Sequence, residues 1–174
     1  LEFAANQIVV STGAKQSIYQ VVMALVNPGD EVIIPTPYWV SYKAIAEVAE
    51  GKIIYVPTKL ENDFKVTAQQ LRDTITPKTK LIMFSSPSNP TGMLYTKEEL
   101  RAIADVLVEN PHVFVMADEI YEHINFVGKH ESLAQFPEIK DRVITINGVA
   151  KGYAMTGWRI GFIAADAQIA SACQ

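Results

Sequence analysis

The chain has 174 residues, with 15 Lys and Arg against 19 Asp and Glu, and a formal net charge of −4. This balance leaves no basic footprint and argues against nucleic acid as a partner, while 49% apolar residues suffice for one domain to bury a core. One cysteine, Cys173, excludes an internal disulfide and fits a reducing compartment; with no bilayer-length apolar run and no leader-like opening, the expectation is a cytoplasmic protein with no membrane partner.

Ile8 to Val10 reads as a strand, and the helical spacing of Ile18, Val21, Val22 and Leu25 predicts a helix over Lys15 to Val26. Asn27-Pro28-Gly29-Asp30 ends it with breaker chemistry. Glu31 to Ile34 predicts a strand, Trp39 to Ala49 a helix and Ile53 to Val56 a strand. Thr67 with Gln70 three residues on makes a capping box that opens a helix to Ile75. Leu81 to Phe84 is apolar on both faces, as a central parallel strand is. Thr96 and Glu99 form a second capping box, opening a helix to Glu109 whose stripe is Leu100, Ile103, Ala104 and Leu107. Val113 to Ala117, Val143 to Ile146 and Arg159 to Ala164 complete the predicted strands. The alternation implies an α/β fold, a mostly parallel (mixed) sheet with helices on both faces, over residues 4–174. Ligands in such sheets bind beyond the carboxyl ends of the strands, so the loops that follow strands carry the candidate site.

Those loops hold unusual chemistry. Ser11-Thr12-Gly13-Ala14-Lys15 opens a helix with a glycine turn, whose free amides and dipole end suit a phosphate. Pro35-Thr36-Pro37-Tyr38-Trp39 is a stiff turn that can lay Trp39 against a planar ring. Ser85 to Gly92 crowds polar and turn-forming residues after a buried strand, with Asn89 able to bond a phenolic oxygen. Asp118 sits where a buried strand leaves the sheet, and a buried carboxylate needs a cation. A protonated pyridine nitrogen is one such cation, with Tyr121 placed to bond the ring oxygen. Lys151 lies in a small-residue loop, and an amine shielded from water is a nucleophile able to form an imine. Arg159 can grip a phosphate through parallel hydrogen bonds. His112, His123 and His130 show no metal-ligand spacing, so no metal is expected.

Thr12-Gly13-Ala14-Lys15-Gln16, Pro37-Tyr38-Trp39, Ser88-Asn89-Pro90-Thr91-Gly92, Ala117-Asp118-Glu119-Ile120-Tyr121 and Ala150-Lys151 through Trp158-Arg159-Ile160-Gly161 occur in the order found in the class I and II aminotransferases of fold type I. The chain resembles the large, cofactor-binding domain of that family, most nearly the bacterial aspartate aminotransferases. The resemblance implies pyridoxal 5′-phosphate (PLP) as cofactor, bound covalently by Lys151, which also moves the substrate proton. It implies that Asp118 pairs with the pyridinium nitrogen, that Tyr121 and Asn89 hold the ring oxygen, and that Trp39 stacks on the ring. Gly13, Ala14, Lys15 and Arg159 bind the phosphate, Trp39 and Asn89 touch substrate, and the bonds preceding Pro37 and Pro90 are cis. The implied substrates are an amino acid, aspartate or a relative, and a 2-oxo acid, 2-oxoglutarate, turned over by a homodimer.

The chain departs from the family twice. Ala150 replaces a serine that many members place before the lysine, which shifts weight to Arg159 and Lys15. Family members are more than twice this length, and their remaining parts close the site and grip the substrate carboxylate. A C–S β-lyase or decarboxylase on the same scaffold, or a piece that binds cofactor weakly without turnover, stays open.

Overall fold

The computed structural model describes residues 1–174. Seven strands form one sheet: β1 (Ile8–Ser11), β2 (Glu31–Thr36), β3 (Lys52–Pro57), β4 (Thr79–Ser85), β5 (Phe114–Asp118), β6 (Val143–Gly148) and β7 (Gly161–Ala164). Their spatial order is β1-β7-β6-β5-β4-β2-β3. Only β7 runs against the rest: it pairs antiparallel with both β1 and β6, and the remaining pairs are parallel. The start of β7 therefore lies among the carboxyl ends of its neighbours, with Gly161 opposite Ser11 and Gly148. That reversal brings Arg159, two residues upstream, to the ligand-binding end of the sheet.

Five helices cover the faces: α1 (Ala14–Leu25), α2 (Ser41–Val48), α3 (Ala68–Thr74), α4 (Lys97–Glu109) and α5 (Ala167–Ala172). Alternation along the strands feeds two cores. Val32, Ile34, Leu81, Met83, Met116, Ile144 and Ile146 pack with α1, α2 and α5, whereas Ile33, Ile82, Phe84, Val115 and Ala117 pack with α3 and α4. Period-two side chains that are apolar on both faces give this doubly covered sheet. Both predicted capping boxes form: Thr67 accepts from the Gln70 amide at 3.2 Å, and Thr96 from the Glu99 amide at 3.2 Å. Arg142 closes the other end of α4, donating to the carbonyls of Leu107, Asn110 and Val113 at 3.0–3.2 Å, and so satisfies acceptors that a helix end leaves bare.

Some boundaries differ from the sequence expectation. Trp39 precedes α2, which begins at Ser41. Arg159 precedes β7 and sits in the left-handed region at φ 52°, where the chain turns into the strand. Helix α5 was not expected; its six residues are too few to show a helical period. Phe3 packs against the α3–α4 core, and the backbone of Glu2 accepts from Lys140 at 2.8 Å. No helix is long and apolar enough to cross a membrane.

Candidate active site

Loops from five places converge on a cleft of about 280 Å³, open to solvent, at the carboxyl ends of the strands. Ala14, Lys15, Trp39, Asn89, Asp118, Tyr121, Lys151 and Arg159 all line it. Gly13 stands directly behind: at φ 86°, a Cβ there would collide with the Arg159 guanidinium. Every site residue expected from the sequence is thus brought to one place.

The α1 end of the cleft is built for an anion. The amides of Ala14 and Lys15 have no partner within the chain, as the first amides of a helix do not. Gly13 lets the guanidinium lie against the turn, and Gly161 lets β7 approach so closely that a Cβ would strike the Ala14 amide. Arg159 Nη1 donates to the Thr156 carbonyl at 3.0 Å, which orients the fork. Below the turn, the Ser11 and Ser17 hydroxyls bond each other at 2.5 Å, and Ser11 also donates to the Gly13 carbonyl at 3.1 Å. These bonds hold the turn from beneath. Lys15 Nζ lies 5.0 Å from the Trp39 ring centroid, so the indole presents a face to the cleft.

Asp118 supplies the opposite pole. It is buried, and burial pushes its carboxyl up to about 6, against the pull of two hydrogen bonds. Tyr42 donates its hydroxyl to Oδ2 at 2.7 Å, and the Ile120 amide donates to Oδ1 at 3.3 Å. Glu119 raises the carboxyl further, while Lys151 draws it down. Asn89 Nδ2 donates to the Tyr121 hydroxyl at 3.4 Å, pairing the two groups expected at a ring oxygen. Lys151 Nζ lies 5.8 Å from the Tyr121 ring centroid. Lysine and aspartate therefore face a shared cavity rather than opposite sides of the sheet.

The structure corrects one expectation and adds others. Lys151 is exposed rather than shielded, as is most of the segment to Ile160, because no part of this chain folds over it. The bonds before Pro37 and Pro90 are cis, as expected, and so is Ser86-Pro87. Tyr42 escaped the sequence reading because it looks like any aromatic on an amphipathic helix. Its position four residues after Tyr38 gave no sign of a partner 76 positions away. Histidine spacing likewise missed that Glu119, Glu122 and His130 converge. Glu119 is buried and already engaged there, accepting from Ser132 Oγ at 2.6 Å and pairing with His130 Nε2 at 3.0 Å.

A helix N-terminal turn beside a guanidinium, an indole, a buried carboxylate and a lysine in one cleft fit a flat, anionic ligand with a basic ring nitrogen and an aldehyde. Such a set, at the carboxyl ends of a mostly parallel sheet, defines a ligand-binding cleft of the α/β class. The whole chain, residues 1–174, matches the family model for aminotransferase class I and II. It is 51% identical over 164 residues to a probable aspartate/prephenate aminotransferase of Rickettsia bellii, covering 93% of this chain and 41% of that one. It is 48% identical to an aspartate aminotransferase of a Bacillus species, covering 99% and 44%. The crystal structure of the Rhizobium meliloti aspartate aminotransferase superposes with a TM-score of 0.97 at 43% identity, over 99% of this chain and 44% of that one. The chain belongs to the class I and II aminotransferases, and it spans about two fifths of the length of these relatives.

Proposed function

We propose that this chain is the cofactor-binding part of a PLP-dependent aminotransferase that exchanges the amino group of aspartate, or a related amino acid, with 2-oxoglutarate. The observation that carries the reading is the shared cleft of Lys151 and Asp118, closed at one end by the Gly13 turn and Arg159. When bound, PLP supplies a pyridinium ring that accepts the electrons of a broken Cα bond.

The chain's own groups divide the remaining work. Ala14, Lys15 and Arg159 bind the phosphate through amides and a forked cation. Trp39 offers its face to the ring plane. Asp118, ionised, holds a proton on the ring nitrogen: burial alone disfavours its charge, and a cation alongside restores it. Tyr121 and Asn89 hold the ring oxygen. Lys151 would hold the cofactor through its amine and, when free, would be the base that moves a proton at the substrate carbon.

Relatives named as aspartate and aspartate/prephenate aminotransferases favour transamination over β-lyase or decarboxylase chemistry. The exposure of Lys151 favours a site completed by residues from beyond this stretch, a second subunit among them. The exposed Tyr153 and Trp158 beside it suit such a homodimer contact. The cytoplasm is the compartment that suits such chemistry and a single buried thiol.

The test is absorption spectroscopy of the natural-length protein with PLP. A visible band that Lys151→Ala abolishes, and that aspartate bleaches, is expected. Absence of any lysine-dependent band overturns the reading. Because Lys151 is exposed, the variant's unfolding free energy should stay within about 0.5 kcal/mol of the parent.

A further inference from the structure

Tyr42 is buried, 2% exposed, touches the cleft's chemistry, and has no role above. It sits in the first turn of α2 and meets two of the cleft's groups. Its hydroxyl donates to Asp118 Oδ2 at 2.7 Å. Its ring packs edge-on to Trp39, with centroids 5.7 Å apart and planes at 88°. A buried phenol normally satisfies its hydroxyl with whatever acceptor is near. Here the acceptor is the one carboxylate that faces the cleft.

We propose that Tyr42 is a positioning residue: its hydroxyl fixes Asp118 and biases it toward the carboxylate, while its ring sets the tilt of Trp39. The inference rests on the reading that the cleft takes PLP. Only one acceptor site on Oδ2 and one on Oδ1 are filled, by Tyr42 and the Ile120 amide, so capacity remains for a cation in the cleft. The titratable and charged groups acting on Asp118 are Tyr42 from α2, Glu119 beyond β5 and Lys151 beyond β6; Ser85 of β4 and Tyr121 act on Tyr42 itself. Burial and the adjacent carboxylate hold the Tyr42 phenol well above the ordinary tyrosine range, so it stays a donor at every working pH.

The experiment is Tyr42→Phe in the natural-length protein, which keeps the ring and removes one hydrogen bond. In cofactor-free protein the Asp118 carboxyl, identified in carbon NMR by its loss in Asp118→Asn, should bind its proton about tenfold more tightly. With PLP added, the pH midpoint of the visible band should move upward while binding persists. Replacing Tyr42 with 3-fluorotyrosine, a stronger donor of nearly the same size, should displace the carboxyl titration the opposite way; this variant decides the matter if the phenylalanine form does not fold. An unchanged Asp118 titration in either variant overturns the proposal, whatever happens to thermal stability. Loss of the lysine-dependent band in unaltered protein would instead sink the PLP reading, and the cofactor-free titration would still judge the Tyr42–Asp118 link.

Discussion

Asp118→Asn tests the cleft through its stability. The buried carboxyl titrates near 6, against an ordinary 3.8. Two pH units at roughly 1.36 kcal/mol each put the cost of ionising it in the folded chain at about 3 kcal/mol. A folded value above the unfolded one means that the neutral acid contributes stability at low pH. This contribution is complete below 3.8 and is lost as pH rises through 6. About 2 of those 3 kcal/mol fall between pH 4.5 and 7. Asparagine keeps an acceptor for Tyr42 but never ionises. Its amide brings its own pH-independent cost, so the slope rather than the absolute difference is the readout. In cofactor-free protein, denaturant unfolding at several pH values should show the variant gaining on the parent by about 2 kcal/mol from pH 4.5 to 7. Adding PLP should reverse the order, because a ring cation stabilises only the carboxylate. Parallel pH profiles for the two proteins would refute the reasoning: Asp118 would then not be paying a burial cost that a ligand relieves.

Gly13→Ala puts a Cβ into the Arg159 guanidinium at a left-handed backbone position; we expect a loss of about 1–3 kcal/mol in chemical unfolding, and at least tenfold weaker PLP binding by fluorescence titration. Leu100→Ala empties a fully buried site between α4 and the sheet and should cost about 2–5 kcal/mol, with the site groups untouched and the visible band retained. Burial alone would lower His130, but the hydrogen bond and charge of Glu119 override it and raise its affinity for a proton. Its contribution is therefore present at acid pH and lost as pH rises past the ordinary histidine range, and His130→Gln should flatten that part of the stability profile.

Much of this was legible in local chemistry. Apolar alternation marked the strands, helical stripes and capping boxes marked α1, α3 and α4, and the loops rich in glycine, proline and polar groups stood where strands end. Those signals are written within a few residues, because helix caps and pleats are local interactions. The candidate site was legible as a list of side chains whose chemistry agreed. Its geometry was not. That Arg159 reaches the Gly13 turn follows from β7 entering the sheet reversed between β1 and β6, a choice set by long-range pairing. Tyr42 on Asp118, and His130 and Ser132 on Glu119, are meetings across 76, 11 and 13 positions that no spacing rule records. The openness of Lys151 belongs to the same class, since shielding is a property of what packs overhead. Residue order along the chain determined which chemistry is available, because periodicity and turn formation act on neighbours. Folding decided which groups share a cavity and which charges lose their water, because burial exists only once distant segments have met.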